Sequence, residues 1–291
     1  MFSGAMVAIV TPFSNGKVDE EAFRRLINFQ IENGTQAIIP CGTTGESATF
    51  THEEHKFVVE FTIKEVNGRV PVIAGTGSNS TAEAIELTRH AKEAGADAAL
   101  MICPYYNKPT QEGLYQHFKA VAEAVPMPII MYNIMARTGV NMVPETVARL
   151  AGIDNIVGTK EASGNLQQMT EIIELCGPDF DVISGDDPLT LPLMAVGGTG
   201  VISVASNVAP GQVLEMTSAF LNGDLAKAQE LNIRLQPLFR ALFLETNPIP
   251  VKMALGFMGM IDPEMRLPLY PMGPANTEKL KKVLADYGLL S

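Results

Sequence analysis

Short apolar runs recur along the chain, each followed by a turn and most of them by an amphipathic stretch. Ala5–Val10, Ala37–Pro40, Val70–Ala74, Ala98–Ile102, Ile129–Tyr132, Ile156–Lys160, Asp181–Ser184 and Gly200–Val204 have the length and character of buried strands. Between them, Phe23, Leu26, Ile27 and Ile31 recur at helical spacing, as do Ala84, Leu87, Ala91 and Ala94. Asp19 and Ser80 occupy the N-cap positions of those two helices. Strands alternating with helices predict a parallel sheet, and eight of them predict closure into a (β/α)8 TIM barrel. The competing architecture is an open doubly wound sheet, which usually places a Gly-rich phosphate loop after its first strand. Here that position reads Thr11-Pro12-Phe13-Ser14-Asn15-Gly16, and neither GxGxxG nor GxxxxGK[ST] occurs.

Beyond Val204 the chain carries more helix than one barrel needs for closure: Ala209–Asn222, Leu225–Thr246, Pro248–Met258 and Thr277–Leu289. Residues 1–222 are therefore assigned to the barrel and 223–291 to a C-terminal helical region packed on it or on a neighbouring subunit. No linker, repeat or low-complexity segment divides them, which favours one folding unit.

Composition narrows the partners. The chain has 291 residues, 46% of them hydrophobic, enough for a large core, and a formal charge of -11 that argues against nucleic acid as the principal partner. Its three cysteines, Cys41, Cys103 and Cys176, are widely spaced with no CxxC pair, which fits reduced thiols in the cytoplasm better than disulfides or a zinc site. The first residues lack the basic start and long apolar run of a signal peptide. No apolar stretch reaches the roughly 18–20 residues of a membrane helix. A soluble cytoplasmic protein that meets neither membrane nor nucleic acid is expected.

A TIM barrel works at the C-terminal ends of its strands, so the last residues of each run are where chemistry is sought. The sixth run ends in Lys160. If Lys160 points into the barrel, strand alternation points Gly158 and Ile156 inward too, and Gly158 leaves room beneath the lysine stem. Apolar neighbours would desolvate the amine, lower its pKa and make it a nucleophile toward a carbonyl. A solvated lysine at a strand end is the plainer alternative. Tyr132 closes the adjacent fifth run, where a phenol could move protons for a Schiff base or simply pack. The second strand runs into Cys41-Gly42-Thr43-Thr44-Gly45-Glu46, whose two hydroxyls and free amides could hold a carboxylate, or form an ordinary turn. Arg137, after the fifth strand, places a guanidinium suited to carboxylates over the same mouth. An amine, a phenol, paired hydroxyls and a guanidinium at one end of one barrel suggest carbonyl chemistry on a small acidic substrate.

Several motifs resemble the dihydrodipicolinate synthase (4-hydroxy-tetrahydrodipicolinate synthase) family. They are Gly42-Thr43-Thr44-Gly45-Glu46, Tyr132-Asn133 with Arg137-Thr138-Gly139, and Lys160-Glu161-Ala162-Ser163-Gly164-Asn165-Leu166. The likeness continues through Pro104-Tyr105-Tyr106-Asn107, Ser184-Gly185-Asp186-Asp187, Gly200-Val201-Ile202-Ser203 and Asn247-Pro248-Ile249-Pro250-Val251-Lys252, covering nearly the whole chain. In that order these motifs are specific for the pyruvate-dependent class I aldolases, the superfamily of N-acetylneuraminate lyase, and Arg137 favours the synthase branch. The resemblance implies a lyase that condenses pyruvate with L-aspartate 4-semialdehyde through a Schiff base on Lys160, on the route to diaminopimelate and lysine. It needs no cofactor and no metal.

The same resemblance implies roles for individual residues. Tyr132 would be the proton donor and acceptor, with Thr43 and Tyr106 completing its relay and Tyr106 arriving from a neighbouring subunit. That arrangement implies a homo-oligomer, a tetramer built as a dimer of dimers. Thr44 and the backbone of Ile202 would bind pyruvate, Arg137 the semialdehyde carboxylate, and Gly185 would leave space beside the Schiff base. Ser47, His52, His55, Asn79, Glu83 and Tyr105 match the positions that bind L-lysine in feedback-inhibited members, although His52 and His55 alone read as two ordinary helix residues. One departure concerns Met135 and Ala136, where the family usually has proline and serine. Losing the proline is expected to loosen the segment that positions Arg137.

Other readings are weaker. A pyruvate-releasing aldolase acting on a sugar acid would keep Lys160 and change the second substrate. A metal-dependent aldolase would need ligands at strand ends, whereas all four histidines (His52, His55, His90, His117) fall on predicted helices. No phosphate cup for pyridoxal phosphate is apparent, and a catalytically dead scaffold would be expected to have lost Lys160, Tyr132 or Thr43.

Overall fold

The computed structural model describes residues 2–290. Its main sheet uses β1 (Gly4–Ala8), β4 (Ile38–Ile39), β5 (Ile73–Gly75), β6 (Ala98–Ile102), β7 (Ile129–Asn133), β8 (Ile156–Glu161), β9 (Asp181–Ser184) and β10 (Gly200–Ser203). β2 (Phe13–Ser14) and β3 (Lys17–Val18) form a small antiparallel hairpin after β1. Every pairing in the main sheet is parallel, in the order β4-β1-β10-β9-β8-β7-β6-β5. The remaining gap closes through an Ile38–Val72 bridge and the bonds Ile38 N–H to Pro71 O (3.0 Å) and Gly75 N–H to Pro40 O (2.9 Å). The sheet is thus an eight-stranded barrel, as its eight apolar runs predict.

Strand alternation divides the core into two layers. Met6, Ala8, Ile39, Leu100, Ile130, Tyr132, Ile183 and Ile202 fill the barrel interior. Val7, Ile38, Met101, Met131, Val182 and Val201, one position away, face the surrounding helices. Those helices are α1 (Glu20–Glu32), α2 (His52–Val66), α3 (Thr81–Ala94), α4 (Gln111–Ala124), α5 (Met135–Thr138, a single turn), α6 (Pro144–Ala151), α7 (Leu166–Cys176), α8 (Thr190–Ala195) and α9 (Pro210–Leu221). The Asp19 and Ser80 side chains accept from the Ala22 and Glu83 amides, capping α1 and α3 as their sequence positions predict. α2 opens with a reciprocal capping box between Thr51 and Glu54.

The chain ends with α10 (Leu225–Ala241), α11 (Ile249–Phe257) and α12 (Pro274–Asp286). The helix expected over Leu225–Thr246 stops at Ala241. Asn247 precedes Pro248, which disfavours helical backbone there. The released segment turns back so that Asn247 reaches the barrel mouth, its carbonyl accepting from Arg137 (2.9 Å) and its amide donating to Thr44 Oγ1 (3.1 Å).

A second correction lies in β8. The register with β7 shifts between Ile129 and Ile130, pairing Ile129 with Ile156 but Ile130 with Gly158. Val157 is the extra residue of this bulge and packs toward the interior, while Ile156 joins the outer layer. Gly158 and Lys160 keep their inward phase and Ile156 does not. No described helix is long and apolar enough to cross a membrane.

Candidate active site

At the C-terminal end of the barrel, Lys160 pairs in register with Tyr132 on β7 and with Ile183 on β9. Its side chain is almost wholly buried, and Nζ lies 4.3 Å from the centroid of the Tyr132 ring. Burial lowers its pKa to about 8; the Asp187 charge opposes that shift and Arg137 adds to it. Tyr132 moves the other way. Burial pushes its phenol up to about 12, against the pull of Arg137 and a hydrogen bond with the Thr43 side chain. Near neutral pH the pair is therefore a phenol that keeps its proton facing an amine that readily gives one up.

Both groups line a cavity of about 50 Å³ together with Thr43, Thr44, Arg137, Gly185 and Asn247. Room for the lysine stem comes from Gly185: a Cβ there would sit 3.0 Å from Lys160 Cε and 3.1 Å from Cγ. Gly158 has a different function from the one its position in the sequence suggests. A Cβ there would meet the Asp181 carbonyl oxygen at 2.6 Å, so this glycine permits the close approach of β8 to β9. Thr44 is buried and fixed by Asn247. Arg137 also donates to the Asn247 carbonyl, and its segment forms the helical turn α5, with Arg137 N–H bonded to Ile134 O at 3.0 Å. The segment lacking proline at Met135 is thus held by α5 and by Asn247. Ile202 lies in the barrel interior but is not part of the cavity lining. Tyr106 is 89% exposed and lies outside the cavity of its own chain.

A wider cleft of about 450 Å³ shares Gly42, Thr43, Tyr132, Arg137 and Asn247 with this cavity and extends to Ser47, His52, His55, Glu83 and Tyr105. Asn79 flanks the cleft, donating to the Tyr105 carbonyl at 3.2 Å. Glu83 accepts from Ser78 and pairs with His52 at 2.7 Å, contacts that lower its carboxyl pKa. His55 bonds the Gly75 carbonyl through Nε2 (2.8 Å), and its buried Nδ1 has no partner among the described residues. Burial lowers its pKa and favours a neutral ring. The six residues grouped by resemblance therefore gather around one opening that meets the Lys160 cavity at Thr43 and Tyr132.

Three features of the site had no assigned role in the sequence. Asn247 bridges Thr44 and Arg137. Asp187 is buried in the turn after β9, and its charge acts on Lys160. Glu46, on the floor of the cleft, forms a wholly buried ion pair with Lys252 of α11 at 2.5 Å. The signal for the last was a lone cation in the apolar stretch Pro248–Met258.

No described residues cluster as ligands for a metal ion. The Dihydrodipicolinate synthetase family profile matches residues 1–287. The chain is 63% identical over 290 residues to the 4-hydroxy-tetrahydrodipicolinate synthase of Syntrophus aciditrophicus, covering 100% of both. It superposes with a TM-score of 0.98 on the dihydrodipicolinate synthase of Acinetobacter baumannii complexed with pyruvate (48% identity, 100% of each chain). The corresponding score is 0.96 for the lysine-bound enzyme of Cyanidioschyzon merolae (44% identity, 99% of each chain). A barrel of this topology, matched along its whole length at these identities, belongs to the dihydrodipicolinate synthetase family.

Proposed function

We infer that the chain condenses pyruvate with L-aspartate 4-semialdehyde to give 4-hydroxy-tetrahydrodipicolinate, in lysine and diaminopimelate biosynthesis. The observation that carries this reading is the desolvated Lys160 amine over the Tyr132 ring in a small cavity at the barrel mouth. Lys160 attacks the pyruvate ketone, water leaves, and a cationic imine forms. Loss of a methyl proton then gives a neutral enamine, because the imine nitrogen accepts the electron pair. The enamine carbon attacks the semialdehyde carbonyl. The substrate amine then adds to the imine carbon, closing the ring and releasing Lys160.

In this scheme Tyr132 donates and accepts the protons, held by Thr43 and by Tyr106 from a neighbouring copy of the chain. The high exposure of Tyr106 supports its delivery to a partner's site and hence a homo-oligomer, a tetramer as a dimer of dimers. Thr44 and the Ile202 backbone hold the pyruvate carboxylate, and Arg137, fixed by Asn247, holds the semialdehyde carboxylate. L-lysine is the inhibitor that the cleft of Ser47, His52, His55, Asn79, Glu83 and Tyr105 accommodates. Glu83 would take its α-amino group, and shared walls would pass the effect to Thr43 and Tyr132. The unpaired thiols, two of them buried, suit a reducing cytoplasm.

The test is pyruvate-dependent consumption of L-aspartate 4-semialdehyde, coupled to the downstream reductase, in the unmodified protein and in Lys160→Ala. Turnover that vanishes in the variant is expected. No turnover, with pyruvate still trapped on Lys160 by borohydride, would move the function to another aldehyde and point to Met135 and Ala136.

A further inference from the structure

Asp187 begins the short turn after β9 and is buried, although the scheme above gives it no task. One carboxylate oxygen, Oδ2, accepts from the Val204 amide (3.1 Å) and the Ala205 amide (3.0 Å), and the Ser203 side chain also bonds the group. The other, Oδ1, is buried with no partner among the described residues. Half of the carboxylate is thus anchored and half is left unneutralised. Such an arrangement costs free energy unless a charge faces it.

The charges around it are few. Lys160 is the cation that acts on Asp187, and Asp187 is the largest favourable charge acting on Lys160. Arg137 opposes protonation of Lys160 from the cavity mouth, and Asp186 lies beside Asp187 on the same turn. Glu161 points to the outer layer, where Asn133 and the Ser163 amide occupy its oxygens. Gly185, two residues before Asp187, lies against the Lys160 stem, so the turn carrying the carboxylate also supports the lysine side chain. Val204, whose amide Asp187 holds, lines the cavity with Lys160.

We propose that Asp187 is a positioning residue whose buried carboxylate is the counter-charge of the cationic imine on Lys160, an inference that rests on the Schiff-base reading above. A free lysine in this cavity can escape burial by losing its proton, but a protonated imine cannot while it remains an electron sink. The carboxylate stabilises that cation; burial raises the carboxyl's own pKa, and the Ser203 side chain, the Ala205 and Val204 amides and the positive charge at Lys160 all act against that rise. Proton loss to the enamine removes the positive charge. Asp187 therefore favours capture of pyruvate more than the later carbon–carbon bond.

The experiment is the pH dependence of borohydride trapping of pyruvate, read by intact mass, with steady-state kinetics for the unmodified protein and Asp187→Asn. Removing the negative charge lowers the amine pKa, so the acid limb should move to lower pH by about half a unit or more. KM for pyruvate should rise by a larger factor than kcat falls. An Asp187 that only braces Val204 and Ala205 would lower kcat and Tm with the limb unmoved, and that result overturns the inference. Asp187→Ser, which keeps an oxygen near those amides, gives the same readout if the amide variant does not fold. In the unmodified protein, difference infrared spectra on adding pyruvate should show no gain of a protonated carboxyl band; a gain would also overturn it. Absence of trapping in the unmodified protein would instead overturn the Schiff-base reading, and this inference with it.

Discussion

Gly185→Ala tests whether the position of Lys160 depends on the turn after β9. The backbone there is not left-handed, so alanine is admissible conformationally and the effect is steric. The new Cβ would lie 3.0 Å from Lys160 Cε, 3.1 Å from Lys160 Cγ and 2.8 Å from Ala162 Cβ. Ordinary carbon contacts are about 3.5–4.0 Å, so the groups must separate by about 0.5–1 Å. Ala162 is bonded through its backbone to the Asn133 carbonyl (2.9 Å), so the Gly185 backbone must shift to relieve that contact, and the lysine stem lying against it is displaced as well. Overpacking of this kind costs about 1–3 kcal/mol. Misplacing a reacting atom by about 1 Å costs on the order of a hundredfold in rate. Borohydride trapping of pyruvate should therefore slow by about ten- to a hundredfold, while thermal melts stay cooperative and fall by a few degrees. Trapping at the parental rate in a folded variant would refute the view that Gly185 sets the lysine's position.

Three further outcomes follow from the same geometry. Only the neutral amine attacks a carbonyl and burial holds Lys160 at about 8, so pyruvate capture should rise about tenfold per pH unit below that value and level off above it, as a pH series of trapping rates would show. Glu46→Gln leaves Lys252 buried without its counter-charge, which should cost about 3–5 kcal/mol, nearer the lower figure because Lys252 can shed its proton; calorimetry showing an unchanged melt would disprove this. L-lysine at millimolar concentration should inhibit the unmodified protein and not Glu83→Gln; equal inhibition of both would place the inhibitor elsewhere.

The barrel was legible because its signal is local. Each run is apolar on both faces, as a strand between a filled interior and a coat of helices must be, and β6 and β9 coincide with their predicted bounds at Ala98–Ile102 and Asp181–Ser184. The phase of Ile156 was not legible, because a bulge is a property of two paired strands and Val157 alone gives no sign of it. The end of α10 was hidden for a similar reason: Leu242–Thr246 continues a helical pattern, and what draws Asn247 away lies on Arg137 and Thr44. Lys160, Tyr132, Thr43 and Thr44 could be read because they end strands or open the loops after them, where a barrel concentrates chemistry. Lys252 carries no such positional mark; Asp187 does stand in the loop after β9, but only the packed chain shows its buried, unpartnered oxygen and what surrounds it.

Two buried lysines show how far surroundings decide a role. Burial lowers the pKa of Lys160 and of Lys252 alike. Lys252 touches Glu46 at 2.5 Å and lies 4.2 Å over the Phe13 ring, whose centroid is also 4.4 Å from the Arg266 guanidinium. Arg266 in turn bonds both Glu54 oxygens, at 2.6 and 2.9 Å, so this lysine belongs to a network that joins α11 to α2 and the β2–β3 hairpin. A contact ion pair holds its proton and its rotamer, which suits a brace and spoils a nucleophile. Lys160 has Asp187 near enough to feel but not to touch, and a phenol ring in place of a carboxylate in contact. Its proton is held weakly, and the cavity before it is open to a small ketone. Borohydride with pyruvate should accordingly modify one of these two lysines, and a mass increment that survives in Lys160→Ala would break the distinction.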